Sequence, residues 1–580
     1  MTTDFLTLHE LNAKVAAILE ALYPNENIKE LTQTCLQAIG KRQCEDIVPP
    51  EQLWSEDDCL LITYGNSIRE LNSKPLDTLQ AFLHDNLQST FSAIHVLPFF
   101  PYSSDDGFSV IDYTEVNAEL GDWEDIQSIG QNFKLMVDVV INHASSQSLW
   151  FRNFQYNKDP GRSYFVTTEP SEDLSKVVRP RTSSLLRAVE TADGIKHVWC
   201  TFSHDQIDLD FKNTSVLIEF ISIIGKYMDQ GAQWIRLDAI AYLWKAIGTS
   251  CIHLLQTHEV VKLLRLLMDY KNSRSLLITE TNVPNRENLT YFGNANEAHI
   301  IYNFSLPPLV LHALLSGNAK YLKTWMMSMP PAPMGCTYLN FTASHDGIGL
   351  RPAEGLLSED ELKSLLDTVR SFGGEISCRT TDDGDEKPYE INVSLFDAMQ
   401  GTFKGTDSRQ IERFLCSQTI MMALEGIPAF YIHSLFATPN DLDKLETTHQ
   451  NRSINRSNLE YGRLVSSLKD CDTSQHKVFN ELSRLIRIRS KQPAFHPNAV
   501  QFTLHIKPEI FAFWRQSMRR TQSIFCLNNL SDTAQEILLS DINLISTESW
   551  HDLISGEAID DLYGVLTLQP YQCAWLTNLF

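Results

Sequence analysis

Leu135-Met-Val-Asp-Val-Val-Ile-Asn-His143 is a short apolar run of strand type that carries one acidic residue and ends in two polar ones. Working outward from it, similar runs occur at Leu60–Tyr64 and Ala93–Phe100 on one side. On the other side they occur at Gln233–Leu237, Leu276–Thr279, Ile300–Phe304, Thr337–Thr342 and Ile427–Ile432. Amphipathic stretches of helical period separate them, the pattern of a parallel α/β architecture, and eight such strands predict a closed (β/α)8 TIM barrel.

The gaps between runs are uneven. His143 to Phe211 and Asp346 to Asn392 are too long for ordinary connections; each follows a strand, which places both at the mouth of the barrel. The expected division is a helical N-terminal extension (1–56), barrel segments at 57–143, 216–346 and 401–498, an inserted domain at 144–215, an inserted loop domain at 347–400, and a C-terminal antiparallel β-sandwich at 499–580. The last follows from alternating segments at Ile510–Arg515, Ser523–Leu527 and Val565–Leu568. In the extension, Phe5, Leu8, Leu11, Val15, Ile18 and Leu22 recur at helical spacing and read as one amphipathic helix, not as a signal peptide.

Composition narrows the function. At 580 residues and 43% hydrophobic the chain can bury a large core plus an appended domain. A net charge of −24 argues against a nucleic-acid partner, which would need a basic face, and it requires a local Arg or Lys cluster for any anionic substrate. The eleven cysteines are scattered without metal or redox spacing, which fits reduced thiols in a cytoplasm. No run is long enough to span a membrane.

Four strand ends carry polar side chains that a plain core would not choose: Asp138 with Asn142 and His143, Arg236 with Asp238, Glu280 with Asn282, and His345 with Asp346. A single strand-end Asp is more often a cap or an ion-pair partner. Eight-stranded barrels, however, build active sites from several strand ends at once. Arg236 and Asp238 stand two apart in a strand and so share a face, where the guanidinium keeps Asp238 ionised as a nucleophile. The charges of Asp238 and Asp346 raise Glu280, which can then donate a proton. A retaining glycosidase-type reaction needs two such carboxyls about 5 to 5.5 Å apart, with His143, His345 and Asp346 bonding sugar hydroxyls. No metal pattern is present, and no cofactor is expected.

These blocks, Asp138-Val-Val-Ile-Asn-His143, Ile235-Arg-Leu-Asp238, Ile278-Thr-Glu280 and Ala343-Ser-His-Asp346, resemble the α-amylase superfamily. Its sucrose phosphorylase branch is marked by Leu97-Pro-Phe-Phe-Pro101, Asp105-Asp-Gly-Phe108, Arg179-Pro-Arg181, Gly248-Thr-Ser-Cys251 after Tyr242, and Ile454-Asn-Arg456. The resemblance implies a phosphorylase that passes a covalent glucosyl group to inorganic phosphate. It implies that Asp105 and Arg456 bind the glucose 4-hydroxyl side, that Phe108 and Phe202 form an apolar platform, and that Gln206 faces the acceptor. Tyr242 counts among the substrate-binding residues, and Arg181 with Tyr389 receives phosphate.

Sucrose phosphorylases carry His where this chain has Asn282, and Tyr-Gln where it has Tyr389-Glu390. Glu280-Thr-Asn-Val-Pro284 and Pro388-Tyr-Glu-Ile-Asn392 resemble the glucosylglycerate phosphorylases of the branch, which implies glucosylglycerate as substrate ahead of glucosylglycerol, sucrose or sucrose 6-phosphate. A hydrolase opening the same intermediate with water is the nearer rival. Glu390 should repel an anionic acceptor unless Lys387, Arg181 or another cation compensates. The expected partners are a small glucoside and phosphate, with no nucleic acid and no membrane; monomer and homodimer both stay open. Gly373-Gly374 and Asp382-Asp-Gly384 give the second insertion the composition of a segment that rearranges.

Overall fold

The structure, a computed structural model, describes residues 7–44, 46–181, 183–380, 386–542 and 544–579. Phe5 and Asp382-Asp-Gly384 lie outside the described residues.

All eight apolar runs form strands of one closed parallel barrel. They are β1 (Leu60–Thr63), β2 (Ala93–Val96), β3 (Lys134–Val140), β4 (Ala232–Asp238), β5 (Leu276–Thr279), β6 (Ile300–Tyr302), β7 (Thr337–Asn340) and β8 (Ile427–Tyr431). β1 closes the ring by pairing with both β2 and β8, as in Ile62 with His95 and Tyr431. Nearly every residue of these strands is buried, because the barrel core covers one face and the surrounding helices the other. The Ala93–Phe100 run is longer than its strand. β2 stops at Val96 because Pro98 and Pro101 cannot donate to a ladder, and Leu97–Phe100 turn outward as part of the mouth.

The extension holds the helix read from its apolar spacing, Leu8–Leu22, and a second, Ile28–Ile39. The second packs on the barrel helix Thr214–Asp229, where a Cβ on Gly225 would come within 2.6 Å of the Ile39 carbonyl, so only glycine admits the approach. Buried Lys271 caps the same helix end, its Nζ donating to the Ile39 carbonyl at 2.8 Å.

Residues 144–215 contribute the antiparallel ribbon Leu186–Thr191/Gly194–Trp199 and the short pair His143–Ser145/Gln206–Asp208. Between residues 347 and 400 lie the helix Glu359–Ser371 and a three-stranded antiparallel sheet of Ile348–Gly349, Glu386–Asn392 and Glu375–Thr380. Gly373-Gly374 lead directly into the strand Glu375–Thr380 of this sheet.

At the C-terminus a six-stranded antiparallel sheet faces the pair Gln535–Leu538/Val565–Leu568 across a core that includes Ile510, Leu527, Ile537, Leu568 and Leu576. Buried Arg515 ties this sandwich to the barrel through the Ala423 and His496 carbonyls at 2.7 and 2.9 Å. No helix among the described residues is long and apolar enough to cross a membrane.

Candidate active site

The strand register places the central charges. Asp138 on β3, Arg236 on β4 and Ile278 on β5 lie side by side, so Arg236 points into the barrel between two acidic neighbours. Its guanidinium, 1% exposed, donates to Asp138 and, at 2.7 Å, to Asp238 Oδ1, and stands 4.0 Å from Glu280 Oε2. Asp138 also holds His95 at 2.6 Å, and although burial works against its charge, Arg236 and His95 bring the carboxyl down to about 2. Asp138 is thus the anchor that orients Arg236 and lies beneath the cavity.

After Asp238 the chain turns through Ala239 at φ +53°, a left-handed position costly for a residue with a Cβ. The turn aims the Ala239 amide at Glu280 Oε2, 3.1 Å away, tying the two strand ends together. Asp238 and Glu280 line one cavity with Asp346, Asp105, Phe108, His143, Phe202, Gln206, Tyr242, Asn282, His345, Arg181 and Tyr389. The cavity together with its solvent-filled mouth holds about 630 Å³.

Burial raises both Asp238 and Glu280; at Asp238 Arg236 opposes the rise and the Glu280 charge adds to it, while at Glu280 Arg236 opposes and Asp346 adds. The charge of Glu280 weighs on Asp238, so the titrations of the two carboxyls are linked. Asp346 behaves in the opposite way: burial is outweighed by Arg452, His345, Arg456 and Arg236, and the carboxyl stays well below the usual range. His345 is driven neutral by burial and stacks on Phe108, rings parallel within 4° and 4.9 Å apart. Phe202 lies tilted against His143 at 5.3 Å and meets Tyr242 edgewise at 5.4 Å. His143 Nε2 lies 2.9 Å from the Phe108 carbonyl, to which Gln206 donates at 3.1 Å.

Three residues expected in the site stand behind its wall. Arg236 supports from below, as described. Arg456 does not line the cavity: it donates to Asp106 at 2.8 Å and is 3.6 Å from Asp105. Asp105 and Asp106 both have φ near +50°, so this turn is held in a strained form by its arginine. Glu390 needs correction: it is 1% exposed and does not face the acceptor space. Nor do Lys387 and Arg181 compensate it. Lys387 reaches Glu354, at 3.7 Å, and it is Arg452 that clasps Glu390 through Nε and Nη2 at 3.0 and 2.7 Å.

Arg452 also binds Asp346, at 2.5 Å, and lines the cavity itself. It is the functional residue that sequence reasoning missed. The signal was Arg452 standing four residues before Arg456, one helical turn, in a segment already singled out by Ile454-Asn-Arg456. On the opposite bank Arg181 stacks over the Tyr389 ring at 5.7 Å.

Residues 86–346 match the alpha amylase catalytic domain. Over 90% of its length the chain is 42% identical to a glucosylglycerate phosphorylase of Spirochaeta thermophila, covering 90% of that protein. It is 40% identical to a glucosylglycerate phosphorylase of Escherichia coli, covering 90% of this chain and 92% of that one. A crystal structure of sucrose 6F-phosphate phosphorylase from Thermoanaerobacter thermosaccharolyticum superposes with a TM-score of 0.71 at 24% identity, covering 87% of this chain and 97% of that one, which speaks for the fold. The chain belongs to the α-amylase superfamily, in the branch of it that contains the glucosylglycerate phosphorylases.

Proposed function

We propose that this protein is a retaining phosphorylase that converts 2-O-α-D-glucosyl-D-glycerate and phosphate to α-D-glucose 1-phosphate and D-glycerate. The observation that carries the mechanism is the asymmetric reach of Arg236, 2.7 Å to Asp238 but 4.0 Å to Glu280. The nearer guanidinium favours the charge on Asp238 and leaves Glu280 as the proton donor. Asp238 attacks the anomeric carbon while Glu280 delivers its proton to the glycosidic oxygen, so glycerate departs and a glucosyl ester of Asp238 forms. Phosphate then enters over Arg181 and Tyr389, Glu280 takes its proton, and a phosphate oxygen displaces Asp238 with net retention. Asp346, held ionised by Arg452, fixes sugar hydroxyls. Asp105, His143 and His345 complete the hydroxyl contacts, and Phe108 and Phe202 flank the ring.

The relatives at 40 and 42% identity bear the name of this activity and support the choice of acceptor. So does the neutralisation of Glu390, which removes the one charge that argued against an anionic leaving group. The eleven cysteines are all unpaired, which supports work in a reducing cytoplasm. The test is a panel of glucosylglycerate, glucosylglycerol, sucrose and sucrose 6-phosphate, each incubated with phosphate and assayed for glucose 1-phosphate. Glucosylglycerate should react fastest. Free glucose released without phosphate dependence would mean a hydrolase instead.

A further inference from the structure

The arginines around the cavity fall into two groups. Arg236, Arg452 and Arg456 each bind carboxylates. Arg181 and Arg351 form no ion pair with any Asp or Glu among the described residues. In a chain of net charge −24, guanidiniums left without carboxylates beside one site are what anion capture requires: Arg181 lines the cavity, and Arg351 stands just outside its lining, on the segment that touches Asn282 and Tyr389. The proposed reaction handles two anions in turn, phosphate and glycerate, and only Arg181 has so far been given one.

Arg351 is delivered by the second insertion. It follows Leu350, whose amide donates at 2.9 Å to the carbonyl of Tyr389, a cavity residue. It also follows Gly349, against which Asn282 packs so closely that a Cβ would stand 2.6 Å from both amide atoms of that side chain. Its charge is felt in the cavity: burial, Tyr389 and Glu280 raise the phenol of Tyr242, and the charges of Arg351 and Arg181 oppose that rise. Two buried polar atoms here lack any hydrogen-bond partner, Arg351 Nε and Asn282 Oδ1. One is a donor on the edge of a guanidinium that takes carboxylates bidentately, the other an acceptor for a hydroxyl. A 2-hydroxy acid offers both complements, and buried polar atoms left single are normally satisfied by something.

We propose that Arg351 is the specificity-determining residue for the acceptor, receiving the glycerate carboxylate while Asn282 Oδ1 accepts one of its hydroxyls. The assignment rests on the glucosylglycerate reading above and adds a division of labour: Arg181 serves phosphate, Arg351 the carboxylate.

The test runs the reaction in the synthetic direction with glucose 1-phosphate as donor and D-glycerate or glycerol as acceptor, alongside arsenolysis of glucose 1-phosphate, which reports the glucosyl-enzyme without any carbon acceptor. Arg351→Gln should lower the preference for glycerate over glycerol at least about tenfold, the scale of a lost charged hydrogen bond. That fall should exceed any fall in arsenolysis. Arg351→Lys should restore only part, because a point charge lacks the fork. An unchanged glycerate-to-glycerol ratio, or arsenolysis falling as far as glycerate transfer, would overturn the assignment. So would the shift appearing in Arg179→Gln instead, whose Nε and Nη2 are also without partners. A native enzyme that glucosylates glycerol or fructose but never glycerate would defeat the substrate reading itself, and this assignment with it.

Discussion

The two banks of the cavity are built on opposite plans. The bank carrying Asp238, Glu280 and Asp346 comes from strand ends β4, β5 and β7, and each arginine there is locked to carboxylates: Arg236 to Asp138 and Asp238, Arg452 to Asp346 and Glu390, Arg456 to Asp106. The other bank comes from the insertions, where Arg181, in the lining, and Arg351, just outside it, form no ion pair with any Asp or Glu among the described residues. A neutral pyranose is best held by groups whose charges are already balanced, since binding then reorganises little. Anions need charge left over. Charge surplus is thus separated from charge balance along one pocket, and the barrel can keep its bond-breaking chemistry while the insertions choose the acceptor.

The balanced bank is the place to expect the largest losses. Asp238→Asn should lower turnover by about 10⁴-fold or more without unfolding the protein, as removal of a covalent nucleophile does; activity near that of the native enzyme would remove Asp238 from the mechanism. Glu280→Gln should cost about 10² to 10⁴-fold. Because its carboxyl is raised by burial, the proton it donates is lost as pH climbs through that raised value, so the native rate should fall on the alkaline side. In Glu280→Gln that alkaline limb should vanish from the pH–rate profile; a limb that persists belongs to another group.

Arg452 tests whether pairing on this bank is structural as well as chemical. Arg452→Gln leaves Asp346 and buried Glu390 without their cation and should destabilise by about 3 kcal/mol in denaturant unfolding at pH 7. The sign of its pH dependence follows from Asp346, whose folded carboxyl is depressed. The native advantage should be complete above the unfolded value near ~3.9 and shrink as pH falls below it. Adding Glu390→Gln should recover part of the loss, and no recovery would mean that the pair contributes little.

Sequence reading reached the barrel because buried parallel strands are continuous apolar runs, and it reached Asp238, Glu280 and Asp346 because polar residues ending such runs are conspicuous. It failed where the meaning of a residue depends on a distant partner. Glu390 reads as an acceptor-facing charge until Arg452, 62 residues on, is seen to clasp it. Nor does the sequence show that Arg456 donates to Asp106, 350 residues earlier, and to the His345 carbonyl. Strand ends were also overrun where proline decides, as at Pro98. In the extension the apolar spacing marks the first helix to its end at Leu22, and nothing in that spacing announces the second at Ile28–Ile39.

The unpaired bank should respond more mildly and more selectively. Arg181→Ala removes a guanidinium that lies over the Tyr389 ring and pairs with no Asp or Glu among the described residues, so no described carboxylate is orphaned and stability should change by less than about 1 kcal/mol. Its effect belongs to binding: the phosphate KM should rise about 10 to 100-fold, the range of a lost charged hydrogen bond, and far more than the glucoside KM. Initial-rate kinetics with each substrate varied in turn separates the two. Equal rises would place Arg181 with the glucoside, and a large loss of stability would show that this bank is paired after all.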